Sequence, residues 1–270
     1  MYKRKVPITR IHGNEKKTIE DEVLIEKPVD IYVNSESLVN IICLPNNLKD
    51  LAVGFLYSIG IINHLKDIEN IEIDEMKYKI DIKLRKNINF DSNSLQISPV
   101  SRVVDTTCGI SSPWRDSIKK TLDTKNISDE ISNQTEKVKA AQIYAAIKKM
   151  QINTKLYRGT GGCHGAAAFN HKNEILSIRE DIGRHNAIDK VIGDLIQKKI
   201  SFHNLILTST GRLTGDSVLK AIRAKFPILA SLSAGIESGI RLAFAYGITL
   251  IGFVRGNRMN IYTHPDRIQL

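Results

Sequence analysis

Three continuous apolar runs in the second half of the chain limit its possible folds more than any other feature. They are NLILTST (204–210), PILASL (227–232) and ITLIGFV (248–254). Such runs are typical of strands that are buried on both faces of a sheet. Segments with helical spacing accompany them at 136–150, 184–199, 214–226 and 237–247, and GAAAF (165–169) with ILSIRED (175–181) flank a turn-like NHKNE. The pattern predicts an α/β domain over 135–270, with helices on both faces of the sheet.

The first hundred residues predict a small α/β domain of their own. VDIYVN (29–34) and MKYKIDIKLR (76–85) alternate apolar and polar residues, as half-buried strands do, and 45–60 has the spacing of an amphipathic helix. The region from about 86 to 134 is polar and has no sustained periodicity. We therefore predict a domain at 1–100, a mobile connector at 101–134 that carries Cys108, and the second domain at 135–270.

Composition and charge exclude several classes of protein. Three cysteines in 270 residues argue against a disulfide scaffold, and no segment has the length and apolarity of a membrane span or a signal peptide. A cytoplasmic protein is therefore expected.

The two halves of the chain differ in charge. Residues 101–270 hold 25 Lys and Arg against 14 Asp and Glu, whereas residues 1–100 hold 14 Lys and Arg against 15 Asp and Glu. The basic half suggests an anionic partner or simply a solvated surface, and no nucleic-acid-binding motif is visible.

Three polar clusters follow or precede predicted strands in the basic half. They are RGTGGCHGAA (158–167), REDIGRHN (179–186) and TSTGRLTGDS (208–217). Arg184 and Arg212 each follow a glycine just before a predicted helix, where a guanidinium could contact a phosphate or a carboxylate. Each cluster alone is equally well explained by helix capping with a surface arginine. Glu180 and Asp181 could also form an internal ion-pair network with Arg184 and His185.

A histidine next to a cysteine invites comparison with zinc deaminases, which need H-x-E together with P-C-x-x-C. His164 is followed by glycine and alanine, and the chain contains no C-x-x-C. We therefore exclude deaminase chemistry and expect no bound metal.

Taken in order, the motifs resemble the formate dehydrogenase accessory sulfurtransferase family, FdhD. The match is carried by VNSESLVNIICLPNNLKDLAVGFLYSIGII (33–62), CGIS (108–111), TGGCHGAA (160–167), REDIGRHNAIDK (179–190), STGRLTGDSVLKA (209–221) and GITLIGFVRGNRMNIYT (247–263). It spans nearly the whole chain.

The resemblance implies a sulfurtransferase, specifically a persulfide carrier. It would accept sulfur from a cysteine desulfurase and deliver it to the bis-molybdopterin guanine dinucleotide cofactor of formate dehydrogenase; a guanine nucleotide would substitute for this cofactor in binding. The fold would be a small N-terminal α/β domain plus a three-layer α/β/α domain similar to cytidine deaminase, in a homodimer. The cofactor-binding residues would be Phe253, Val254, Arg255, Gly256, Asn257, Arg258, Arg184, Arg212, Gly161, Gly162 and His164.

By the same resemblance Cys108 is the catalytic residue. The family's C-G-x-C-G motif is altered here, because Ser111 stands in place of the second cysteine. One thiolate suffices to carry a persulfide, whereas relay through a second thiol at 111 is impossible. Cys43 is expected in the core, and Cys163 is either a buried apolar residue or a substitute relay thiol.

Two other functions remain open. The protein could bind the molybdenum cofactor as a chaperone of formate dehydrogenase without moving sulfur, and the missing second cysteine supports this alternative. Binding to nucleic acid rests on net charge alone.

Overall fold

The computed structural model describes residues 2–88, 90, 122 and 126–270, together with the backbone of 103–104. The strands are β1 (Lys3–His12), β2 (Glu15–Leu24), β3 (Lys27–Val33), β4 (Glu36–Cys43), β5 (Ile68–Asp74), β6 (Lys79–Leu84), β7 (Val103–Val104), β8 (Val138–Lys139), β9 (His164–Phe169), β10 (Ile175–Asp181), β11 (Ile206–Ser209), β12 (Ile228–Ser231), β13 (Thr249–Arg255), β14 (Arg258–Ile261) and β15 (Ile268–Gln269). The helices are α1 (Leu48–Ser58), α2 (Ile127–Ser132), α3 (Ala140–Asn153), α4 (Lys155–Thr160), α5 (Arg184–Gln197), α6 (Gly215–Arg223) and α7 (Glu237–Ala245). The chain is a mixed α/β protein, as predicted.

A six-stranded sheet in the order β10-β9-β11-β12-β13-β14 organises the second half. Strands β11, β12 and β13 are parallel, and all residues of β11 and β12 are buried, which accounts for their continuous apolar sequence. Strand β9 is antiparallel to both β10 and β11, so β10 runs in the same direction as the three parallel strands. Four strands therefore end at one edge of the sheet, and β9 begins there.

Helices cover this sheet on both faces. Ala167 and Phe169 of β9 belong to the apolar core beneath α3, whereas Ala166 and Ala168 belong to the core beneath α5 and α6. The alternation along one strand thus separates two cores, and the architecture is the expected three-layer α/β/α.

The first half packs against the second through helix α1. A five-stranded sheet in the order β5-β6-β3-β4-β7 forms one layer, and its apolar core continues through α1 to α5. Gly54 of α1 and Gly193 of α5 lie at the crossing. A Cβ on Gly54 would come within 1.8 Å of the Asp189 carbonyl oxygen, and one on Gly193 within 1.9 Å of that of Asp50. Glycine lets the two helix backbones touch.

Several elements were not predicted from the sequence. Strands β1 and β2 form a two-stranded antiparallel ribbon whose residues are mostly exposed. Their sequences are therefore rich in charged residues and show no sustained alternation of apolar and polar residues.

Most of the predicted connector at 101–134 lies outside the part of the chain that the structure describes. Within it, α2 is a six-residue helix that buries Ile127 and Ile131, too short to produce a visible period.

No helix among the described residues combines the length and the apolarity needed to cross a membrane.

Candidate anion-binding site

The polar clusters of the sequence meet at the edge where the four parallel strands end. Strand β10 ends at Asp181, β11 at Ser209 and β12 at Ser231, while β9 begins there at His164. Helices α5, α6 and α7 each begin shortly after one of these strands. In open α/β sheets ligands bind at this edge, and the N-terminal ends of helices carry partial positive charge. The backbone alone therefore favours an anion.

Thr210 holds His164 in place at this edge. Nδ1 of His164 lies 3.1 Å from the Thr210 hydroxyl, which also accepts a hydrogen bond from the Gly165 N–H at 3.1 Å. Partial burial lowers the pKa of His164 below its usual value, and the positive charge of Arg184 lowers it further. The imidazole is therefore neutral at pH 7 and offers a hydrogen bond rather than a charge.

Arg184 and Arg212 supply the charge. The side chain of Arg184 packs over Gly211, where a Cβ would come within 2.8 Å of the Arg184 Cβ. Its Nε is buried without a hydrogen-bond partner, and neither arginine forms a salt bridge with any described residue. Burial lowers the pKa of Arg184, the nearby Arg212 lowers it further and Asp216 raises it, although the Arg184 guanidinium remains protonated. Two neighbouring guanidiniums, with Asp216 as the carboxylate close enough to raise the pKa of Arg184, leave a net positive charge that favours an anion.

The segment Phe253–Arg258 forms a hairpin at the same edge. Phe253 has a positive φ of 50° within a bulge of β13, where its N–H donates to the Ser233 carbonyl at 2.9 Å. Arg255 is exposed and its Nε donates to the Leu232 carbonyl at 3.3 Å. Gly256, also at positive φ, makes the turn. The strained backbone at Phe253 fixes how the arginine is presented.

Helix α3 holds the rest of the hairpin in place. Val254 is buried in the core under α3, and the hydroxyl of Tyr144 in α3 donates to the Asn257 carbonyl at 2.9 Å. Gly256, Asn257 and Arg258 are exposed.

The hairpin and the arginine pair are joined through one loop. Leu213 donates its N–H to the Ala234 carbonyl at 2.9 Å, and the loop 231–236 continues to Ser233, which contacts Phe253. Arg212, in the loop after β11, and Arg255, at the end of β13, thus flank a common third loop. The structure brings both predicted parts of the site to one edge.

Gly161 and Gly162 lie beside this edge. Gly161 has a φ of 66° and ends α4, and Gly162 donates its N–H to the Thr160 hydroxyl at 3.1 Å. Both glycines are exposed, and a Cβ on Gly162 would meet Thr160 and Leu24 rather than either arginine. Their geometry is that of a helix C-cap leading into β9.

Asp181 positions the turn before Arg184, and the sequence did not reveal its partners. Its Oδ1 accepts hydrogen bonds from the Gly183 N–H at 2.8 Å and from the Asn186 amide at 3.0 Å, so it shapes the turn before Arg184. Its Oδ2 pairs with Lys190 Nζ at 2.6 Å and accepts from the Leu44 N–H at 3.1 Å. An ion pair does fix this turn, but its cation is Lys190 and not Arg184 or His185.

The two cysteines that the structure describes are buried. Cys43 ends β4 and burial raises the pKa of its thiol, which confirms a core position. Cys163 lies 3.9 Å from Glu180 Oε1, and burial together with that carboxylate raises the pKa of its thiol to about 12. This environment suits a packing residue rather than a nucleophile. Cys108 and Ser111 lie outside the described residues.

Within the described ranges, no three His, Cys, Asp or Glu side chains form a group that could hold a metal ion.

The fold and this edge define an α/β protein with two neighbouring arginines and three helix N-termini at one edge of its sheet. The chain belongs to the FdhD/NarQ family, whose model matches residues 24–269. It is 36% identical to the sulfur carrier protein FdhD of Sulfolobus acidocaldarius over the full length of both chains. It is 31% identical to the sulfur carrier protein FdhD of Bacillus subtilis, covering 97% of this chain and 96% of the relative.

A solved structure supports the same assignment. The crystal structure of a Desulfotalea psychrophila protein assigned as a formate dehydrogenase accessory protein matches with a TM-score of 0.75. The two sequences are 25% identical, and the match covers all of both chains. The family resemblance inferred from the motifs is thereby confirmed.

Proposed function

We propose that this protein is a sulfur carrier that serves a formate dehydrogenase. The observation that carries the proposal is the full-length match to relatives named sulfur carrier protein FdhD. The cationic edge of the sheet adds physical support, because the cofactor that would receive the sulfur carries phosphates.

The proposed sulfur-bearing residue is Cys108. Its thiolate attacks the terminal sulfur of a cysteine desulfurase persulfide, the donor's S–S bond breaks, and the donor cysteine leaves as a thiolate. One S–S bond forms as one breaks, so no oxidant is needed. On delivery the S–S bond at Cys108 breaks, and the terminal sulfur takes two electrons from the reduced molybdenum centre that accepts it as sulfide. The Cys108 thiolate is thereby regenerated.

The proposed binding site for bis-molybdopterin guanine dinucleotide is the edge described above. Its phosphates would lie against Arg184 and Arg212, near the N-termini of α5 and α6, with His164 donating or accepting a hydrogen bond. The hairpin at 253–258 would contact a second part of the same molecule through Arg255 and Arg258. A homodimer in the cytoplasm is part of the same proposal.

The test is to incubate the protein with a cysteine desulfurase and ³⁵S-labelled cysteine, and to locate the label by mass spectrometry of peptides kept unreduced. We expect a persulfide on Cys108 that is absent from Cys108→Ala and retained in Cys163→Ala. Label on Cys163 in both the wild type and Cys108→Ala would show that Cys163, and not Cys108, carries the sulfur.

The serine at 111 favours a second candidate, a cofactor-binding chaperone that moves no sulfur. It predicts that guanosine diphosphate binds normally while no cysteine acquires label. That result would reject the sulfur-carrier proposal.

A further inference from the structure

A cavity of about 600 Å³ lies at the end of the molecule opposite the anion-binding site. Helix α5 begins at Arg184 in that site, and its 14 residues span about 20 Å before the loop 199–203 that borders the cavity. The cavity is also bordered by the residues that follow α6 and by the loop 63–66 after α1. It is therefore a separate site, and its volume falls within the range of about 300–1,000 Å³ that is typical of small-molecule pockets.

Two aromatic rings form a rigid apolar wall. The centroids of Tyr57 and Phe202 are 5.7 Å apart, and Phe202 in turn lies 5.2 Å from Phe226. The Arg223 guanidinium lies 4.7 Å from the centre of the Tyr57 ring and is anchored by the Asn63 side chain at 2.7 Å. Because the rings are already held by the protein, a ligand would lose little free energy in ordering them.

Tyr57 offers a polar group at this wall. The residue is 8% exposed and lines the cavity, and its hydroxyl is not one of the fully buried, unpartnered polar atoms found among the described residues. A phenol that lines a cavity can donate a hydrogen bond to a bound ligand. Burial raises the pKa of this phenol, so the hydroxyl keeps its proton and can donate it to an anion.

The charge around the cavity is positive. Glu130, the acidic residue among the described lining residues, is paired with Lys225. Lys66 and Lys199 line the cavity, are exposed, and form no salt bridge with any described residue. Two imidazoles, His64 and His203, also line it. An apolar wall beside unpaired ammonium groups fits a molecule with an apolar body and a negative charge.

We propose that this cavity binds a small aromatic anion, with its ring against Tyr57 and Phe202 and its charge facing Lys66 and Lys199. The Tyr57 hydroxyl donates a hydrogen bond to the same ligand. This site is independent of the sulfur-carrier function, since it shares no residue with the edge that holds Arg184 and Arg212.

The test uses 8-anilinonaphthalene-1-sulfonate, an aromatic anion whose fluorescence rises in apolar surroundings, with the full chain. We expect saturable binding at one site per chain. The double variant Lys66→Glu/Lys199→Glu should weaken it by at least about tenfold, because the site then repels the sulfonate. The uncharged analogue N-phenyl-1-naphthylamine should bind the wild type more weakly than the sulfonate does.

Two controls make the result decisive. Lys137→Glu/Lys148→Glu changes the net charge equally at exposed positions outside the cavity and should leave binding intact. Arg184→Ala/Arg212→Ala should also leave it intact, because those residues lie at the opposite end. The proposal is wrong if binding does not saturate, if the Lys66/Lys199 variant binds like the wild type, if the neutral analogue binds equally well, or if the arginine variant abolishes binding.

Discussion

The carboxylate of Asp181 lies 2.6 Å from Nζ of Lys190, and neither side chain has any exposure to solvent. Asp181 also bonds the turn that precedes Arg184, while Lys190 donates to the Leu44 carbonyl at 2.9 Å and to the Asn46 side chain at 2.8 Å. One buried ion pair therefore connects the turn before Arg184 to the loop before α1. The two halves of the chain and the candidate site share this anchor.

Replacement of Asp181 by alanine should destabilise the protein strongly. Lys190 would keep a buried charge with no counter-ion, which typically costs about 3–5 kcal/mol in the free energy of unfolding. Urea denaturation measures the change. The matched control is Glu22→Ala, which breaks the exposed Lys3–Glu22 pair of similar length, 2.8 Å, and should leave stability unchanged within error. Equal effects of the two variants would contradict this account.

Because α1 and α5 are in backbone contact at Gly54, the substitution Gly54→Ala should lower the free energy of unfolding. Alanine normally stabilises a helix relative to glycine, but here the Cβ would come within 1.8 Å of a backbone oxygen and would force the helices apart. We expect a loss of at least about 2 kcal/mol by thermal or urea unfolding. Gly159→Ala in α4, where a Cβ meets nothing within 4 Å, should be neutral or stabilising by up to about 1 kcal/mol. A neutral Gly54→Ala would refute the close crossing.

The raised pKa of Cys163 predicts a thiol that is inert at neutral pH. With a pKa of about 12, the thiolate fraction at pH 8 is about one in ten thousand, against about a quarter for an ordinary thiol. In the variant Cys43→Ala/Cys108→Ala, the rate of alkylation by iodoacetamide should rise about tenfold per pH unit from 7 to 10 without levelling. The same chain in urea should react with an ordinary thiol profile. A plateau below pH 10 in the folded protein would show Cys163 to be an activated thiol.

Because His185 is buried, we expect the folded protein to lose stability as the pH falls. Burial holds its pKa well below 6.5, and Arg184 lowers it further, so at pH 5.5 the unfolded chain binds a proton that the folded chain does not. Stability from this group is therefore complete above pH 6.5 and falls as the pH drops, by at most about 1.4 kcal/mol per unit. The variant His185→Gln should show a correspondingly smaller decrease between pH 7.5 and 5.5. An unchanged decrease would mean that other groups cause the acid sensitivity.

The paired arginines predict a salt-dependent affinity for phosphate-bearing ligands. Arg212→Ala should weaken the binding of guanosine diphosphate by about tenfold or more, because a charge-assisted hydrogen bond is lost, and should reduce its dependence on salt. Isothermal titration calorimetry at two salt concentrations measures both. Arg241→Ala is the control, since this exposed arginine on α7 contacts Glu237 at 3.7 Å. If both variants bind alike, the arginines do not form the site.

Local patterns sufficed wherever an element is long and buried on a regular face. Helix α5 was predicted at 184–199 and spans Arg184–Gln197, and β11 was predicted at 204–210 and spans Ile206–Ser209. Arg184 and Arg212 were identified because a glycine followed by an arginine before a helix is a local signal. The ribbon of β1 and β2 was missed because exposed strands do not need apolar alternation.

The sequence by itself determined the layered α/β architecture and the motifs that define the family, and it proposed Arg184 and Arg212 as candidate site residues, since each depends on residues close together in the chain. The tertiary structure alone decided which carboxylate neutralises Lys190, why Gly54 and Gly193 must be glycines, and that an aromatic cavity lies at the far end of α5. These features join residues that are far apart in sequence or in separate elements. Their contributions to stability come from burial and close contact between distant residues, and such contacts produce no periodic pattern in the sequence.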